Sequence, residues 1–219
     1  EGVKIGPSPK WLQERLIACG AKPINNVVDI ANFILLDLGY PMHAFDYKKI
    51  KDKKIIVRTA KNNEEIITLD GELRNLNNKS LVIADSEKPI AIAGIMGGEN
   101  SEVDESTDAV VLEAAQFNSK NIRETSKYLN LKTEASYRFE RGIDSGGIEY
   151  AINKAANLIT QVAGGRILSG IVSSGDVPEK NFVIANYDKI RDMLGIKISN
   201  DKINYYLKLL GFEIESGRI

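Results

Sequence analysis

The chain has 219 residues, 43% hydrophobic and 27% charged, with a formal net charge of −1. That length can bury a real core, and the neutral charge argues against a dedicated nucleic-acid-binding module, although local basic patches survive a neutral sum. A lone Cys19 excludes a disulfide framework and a cysteine-based metal site and fits a reducing, cytoplasmic setting; no apolar run nears the roughly 20 residues of a membrane span.

Ser8-Pro9 predicts a helix start, with a serine cap and proline in the first turn, and Gly20 a stop. The apolar run Val27 to Leu38 predicts a second, buried helix that Asp29 could open. It leads to a turn at Gly39, Tyr40 and Pro41, and then to the only histidine, His43. A single histidine in such a chain is more often structural than catalytic, but a glycine/proline turn at the exit of a packed element is where sites are often built.

From Ile55 the pattern changes. Runs at Ile55–Ala60, Ile66–Leu69, Leu81–Ala84, Ile90–Ala93 and Val110–Glu113 read as short strands, with a tight turn at Asp70-Gly71. Together they predict a mainly antiparallel β core. Helices return after Phe117, where Asn118 or Ser119 can cap, and the clearest helix is Ile148 to Ala163. A final strand is expected from Ile167 to Val172, then a linker from Ser173 to Glu179. Two short helices (Asn186–Leu194 and Ser199–Leu210) and a strand beginning at Phe212 follow it. The expected organisation is one α+β domain over residues 1–177 and a truncated second domain over 178–219, as in a piece of a longer protein.

Four motifs stand above this background. The first is Gly39-Tyr40-Pro41-Met42-His43-Ala44-Phe45-Asp46. The second, Ala93-Gly94-Ile95-Met96-Gly97-Gly98, lacks the spacing of a phosphate loop or dinucleotide fingerprint; it is either a tight corner or a place where backbone approaches a ligand. The third, Val110-Val111-Leu112-Glu113-Ala114-Ala115, ends an apolar strand in a carboxylate, which must either hydrogen-bond backbone amides or face a polar pocket. The fourth runs from Leu131 to Asp144, where Thr133 and Ala135 could line a site and Arg138, Glu140 and Arg141 are expected to form a structural ion-pair network. No zinc motif, acidic metal box or nucleophile elbow is present.

These motifs, in this order, resemble the β subunits of bacterial phenylalanyl-tRNA synthetases. Residues 5–177 resemble their B3/B4 editing region and the residues from about 180 the start of B5. The resemblance implies an α+β fold around a β-sandwich-like core of unusual topology. It also implies hydrolysis of tyrosine wrongly attached to phenylalanine tRNA, with synthesis on another subunit. Discriminating a substrate from an isostere carrying one extra hydroxyl is worth only about a hundredfold in a binding pocket, so a second, hydroxyl-reading site is needed. By position, Glu113 would accept from the phenol, Gly97 would shape the ring pocket, and Thr133 and Ala135 would line the amino-acid or ester side. His43 would sit near the ester and terminal adenosine, and Lys22 near a phosphate or the ester. A second family histidine falls on Gly39. The implied partners are the 3′ end of phenylalanine tRNA and an α subunit in an α2β2 assembly. No cofactor is implied for this region, ATP and Mg belonging to the synthetic site. The alternative is a catalytically silent structural or RNA-docking domain.

Overall fold

The computed structural model describes residues 1–175 and 182–215, which divide into two compact units, Glu1–Ser174 and Gly175–Ile219. The expected boundary at Val177, and most of the expected linker, lie outside the described residues.

The first unit opens with two helices, α1 (Lys10–Ala18) and α2 (Asn26–Leu38). Their starts differ from the sequence expectation. Pro9 is the residue before α1 and no side chain caps it, because Ser8 instead donates its hydroxyl to Asp29 across 2.6 Å. Asp29 therefore does not open α2. It is buried in the first turn and also accepts the Ile24 amide at 2.8 Å. The cap is Asn25, whose side chain accepts from the amides of Val27 and Val28, an arrangement worth about 1 kcal/mol. Gly39 ends the helix in the left-handed region.

Eight strands follow: β1 (Met42–Asp46), β2 (Ile56–Thr59), β3 (Glu65–Ile67), β4 (Leu73–Asn75), β5 (Leu81–Ala84), β6 (Pro89–Ile92), β7 (Met96–Gly97) and β8 (Val110–Ala114). The sequence reading missed β1, which lies in the His43 motif, and the short β4 and β7. All pairings are antiparallel: a four-stranded sheet ordered β2-β5-β6-β7, the hairpin β3-β4, and the ribbon β1-β8. With the helices, they make the expected α+β fold.

The ribbon divides two cores. Side chains alternate faces along a strand, so Phe45 and Val111 join the core built on β5 and β6, while Met42, Ala44, Val110 and Leu112 join a helical core. The helical core is closed by α5 (Ile148–Ala163), whose small Ala151, Ala155 and Ala163 are buried in the cluster that also holds α2. In the chain between β8 and α5 come α3 (Ser119–Tyr128), capped by Asn118, and α4 (Glu134–Phe139), whose Ile122 and Phe139 are buried in the β-rich core.

Two further expectations fail in this unit. Residues 167–172 form no strand, and Ile167, Leu168, Ile171 and Val172 are exposed. Arg138, Glu140 and Arg141 form no network: Arg138 pairs with Glu134 one turn back, and Arg141 with its neighbour Glu140. The i,i+4 spacing of Glu134 and Arg138 on α4 favours the first of these local pairs.

In the second unit, α6 (Tyr187–Leu194) is capped by Asn186 and α7 (Asn200–Leu209) by Ser199. Tyr187 donates to Asn204 at 2.9 Å and Arg191 to Asn200 at 2.8 Å, joining the two helices. Residues 212–214 carry no strand.

Candidate functional site

On the β1-β8 ribbon, His43 stands directly opposite Glu113. Paired residues on one face of such a ribbon hold their Cβ atoms about 5 Å apart. Both side chains point toward the β-rich side, the face that carries Phe45; the His43 ring meets Phe45 edge to face at 4.5 Å. Neither the Glu113 carboxyl nor His43 Nε2 has a hydrogen-bond partner among the described residues, and Nε2 is sealed from solvent.

Burial sets the protonation of both groups. Desolvation pushes the Glu113 carboxyl up to about 7 and the imidazole down to about 4. At neutral pH His43 is therefore uncharged and Glu113 is near its midpoint. Glu113 nevertheless keeps part of its surface exposed, so a ligand can reach it.

Gly97 forms the floor beneath the histidine. A Cβ there would lie 2.5 Å from Nε2, closer than any real contact, so only glycine fits under the ring. The corner that brings Gly97 into place turns at Gly94, with φ at +65° and space walled by Phe117, Phe139 and Ile122. Thr133 is tied to the same corner, donating its hydroxyl to the Ile95 carbonyl at 2.8 Å. That hydroxyl also accepts the Ser136 amide at 3.1 Å, while Ser136 accepts the Thr133 amide at 2.9 Å; the reciprocal pair caps α4. Ala135 packs with Val111 and Ala115 against the β-rich core.

A surface groove of about 310 Å3 lies next to these elements, lined by residues that include Tyr40, Tyr137, Arg138, Arg141 and Asp144. The Arg141 guanidinium stacks 3.7 Å from the centre of the Tyr137 ring. Tyr40, three residues before His43, donates to Asp144 at 3.3 Å, and its hydroxyl pKa is raised, by burial first and by Asp144 second.

Residues 1–164 match the family model described as B3/4 domain. The chain belongs to the B3/4 domain family. It is also 47% identical over 221 residues to the phenylalanine–tRNA ligase beta subunit of Carboxydothermus hydrogenoformans, an alignment covering 99% of this chain and 27% of that relative. The beta subunit of Bacillus licheniformis is 46% identical over 214 residues, covering 97% and 27%. That of Syntrophotalea carbinolica is 45% identical over 216 residues, covering 98% and 27%. The resemblance drawn from the four motifs is thus borne out, and the chain spans about a quarter of the length of the curated relatives it matches.

Within this B3/4 domain, His43, Glu113 and Gly97 come together, and Thr133 and Ala135 join them through Ile95 and the shared core. Lys22 does not. It is exposed on the loop before α2, whereas His43 follows the other end of that helix, whose 13 residues span about 20 Å. Gly39 serves as the C-terminal cap of α2. Sequence reasoning missed Leu69, whose amide donates to the Gly97 carbonyl at 3.1 Å. The only signal was its place beside the Asp70-Gly71 turn, which predicts a hairpin but not what the hairpin touches. Among the described residues no group of three or more His, Cys, Asp or Glu could hold a metal ion, and no helix is long and apolar enough to cross a membrane.

Proposed function

We propose that this chain is the B3/4 segment of a phenylalanine–tRNA ligase beta subunit, and that it hydrolyses tyrosine wrongly esterified to phenylalanine tRNA. One observation carries the reading: a reachable carboxyl and an imidazole face the same way, side by side, with no protein partner for either. Buried polar groups are normally satisfied, and unspent capacity of this kind is available to a ligand. Glu113, close to its midpoint at neutral pH, can take a phenol hydrogen when ionised. An uncharged His43 lies beside it, and its Nε2, sealed over Gly97, meets water or the ester once the ring turns.

The reaction needs little more. Water adds to the ester carbonyl, the bond from that carbon to the terminal ribose oxygen breaks, and the proton lost by water ends on that oxygen. The products are tyrosine and uncharged tRNA. An aminoacyl ester is already activated, so positioning water in a partly dry site supplies much of the rate. The groove beside Tyr40 offers the 3′ end a stacking surface and two guanidinium groups, of which Arg138 is paired with the exposed Glu134 weakly enough to exchange for phosphate. The partners proposed with this reading are phenylalanine tRNA and an α subunit in an α2β2 enzyme working in the cytoplasm. ATP and Mg act at the synthetic site elsewhere in that assembly.

The test is deacylation of tyrosyl- and phenylalanyl-tRNA by the assembled synthetase carrying Glu113→Ala. A phenol–carboxylate hydrogen bond is worth roughly 1.5–3 kcal/mol, about ten- to a hundredfold. Hydrolysis of the tyrosyl ester falls by that factor, the gap to the phenylalanyl ester narrows, and aminoacylation with phenylalanine is unchanged. A folded variant with full tyrosyl preference leaves the B3/4 domain a structural or RNA-docking role instead.

A further inference from the structure

The floor of the site has a second wall that is neither histidine nor carboxylate. The position a Cβ would take on Gly97 lies 3.1 Å from Leu69 Cδ1 as well as 2.5 Å from His43 Nε2, so an isobutyl group and an imidazole meet over one glycine. Leu69 is held there by its backbone. Its amide donates to the Gly97 carbonyl, and the preceding residue, Thr68, is wholly buried and bridges to Gly98. The turn after it is braced by Asp70, which accepts from the Thr68 hydroxyl at 2.6 Å and from Arg74 at 2.6 Å. Despite this bracing Leu69 remains 41% exposed. A large apolar side chain is thus fixed at the mouth of the site without being buried by the fold, and apolar area left in water is area a ligand can cover.

We propose that Leu69 is a specificity-determining residue of this site: it forms the apolar wall on which the aromatic ring of the substrate lies, opposite the polar wall of His43 and Glu113. The inference rests on the editing reading. These walls suit a phenol with its ring face on Leu69 and its hydroxyl toward Glu113, the space directly over Gly97 being filled by the imidazole. Leu69 has no group able to move a proton, so its contribution is to binding and not to the chemical step.

The experiment measures single-turnover deacylation of tyrosyl-tRNA by the assembled synthetase over a range of enzyme concentrations. In Leu69→Ala the half-saturating concentration rises about tenfold while the maximal rate stays within threefold of wild type, as expected when binding common to ground and transition states is lost. Leu69→Met, which restores apolar bulk, returns the half-saturating concentration to within threefold. Ile67→Ala trims an equally exposed apolar residue of the same hairpin and leaves both parameters unchanged. An unchanged Leu69→Ala enzyme overturns the inference while leaving the editing reading in place. So does a fall in maximal rate that methionine fails to repair, since that marks a structural role. A wild-type enzyme unable to hydrolyse tyrosyl-tRNA removes the editing reading, and this inference with it.

Discussion

His43 and Glu113 are cross-strand neighbours 70 positions apart in sequence, and their protonation preferences run opposite to the usual order of histidine and glutamate. No ion pair joins them, because burial keeps the imidazole neutral while it raises the carboxyl to about its midpoint at neutral pH. The pair therefore enters neutral pH with little net charge and with its hydrogen-bonding capacity unspent.

The burial of Glu113 has a measurable effect on stability. Its folded-state pKa, about 7, lies above the ordinary value of 4.5, so the native state holds a proton that the unfolded chain has released. Its contribution to stability is fully present below about pH 4.5 and is lost as pH rises through about 7. Glu113→Gln removes this loss: the variant exceeds wild type by no more than about 1 kcal/mol at pH 5 and by up to about 3 kcal/mol at pH 8.5. His43 acts in the reverse sense. Its folded pKa, about 4, lies below 6.5, so it costs stability only as pH falls below about 6.5. Denaturant unfolding at the two pH values checks the prediction, and equal variant-to-wild-type differences at both would contradict it.

Gly97→Ala tests the floor of the site. Gly97 has an ordinary backbone conformation, so the methyl group acts through collision, chiefly with the His43 ring and to a smaller extent with Leu69. The ring must rotate or the β1-β8 ribbon must shift, at a cost of about 1–3 kcal/mol in stability. Tyrosyl ester hydrolysis falls at least tenfold with the displaced imidazole. Thermal unfolding and deacylation measured together check this. A variant with wild-type Tm and wild-type hydrolysis would show that the ring never needed that space.

Thr133 is expected to matter first as a cap. Its hydroxyl is engaged by the Ser136 amide and the Ile95 carbonyl before any substrate arrives. Thr133→Ala loses the cap and leaves the Ile95 carbonyl without its donor, about 1–2 kcal/mol together. Thr133→Ser keeps both bonds and stays within about 0.5 kcal/mol of wild type. If serine restores stability but not hydrolysis, the threonine methyl group touches the substrate. If it restores both, the contribution of Thr133 is to hold α4 against the glycine corner.

Much of this protein is legible from the chain alone. The antiparallel strands after Ile55, the helix from Ile148 to Ala163 and the capped pair beginning at Asn186 and Ser199 follow from local periodicity and capping residues, which act over a few positions. The four motifs that carry the family resemblance are likewise local strings. Errors fell where a residue's partner is distant. Ser8 caps nothing because Asp29, 21 positions away, takes its hydroxyl. The segment 42–46 becomes a strand because β8 pairs with it, and nothing within five residues announces a partner that lies 64 to 72 positions further on. Leu69 acquires its place from the carbonyl of Gly97. Local hydrogen bonding and side-chain period determine which elements form. Only long-range pairing and burial decide which side chains meet, and the inverted protonation of His43 and Glu113 exists only where the fold strips most of the water from both.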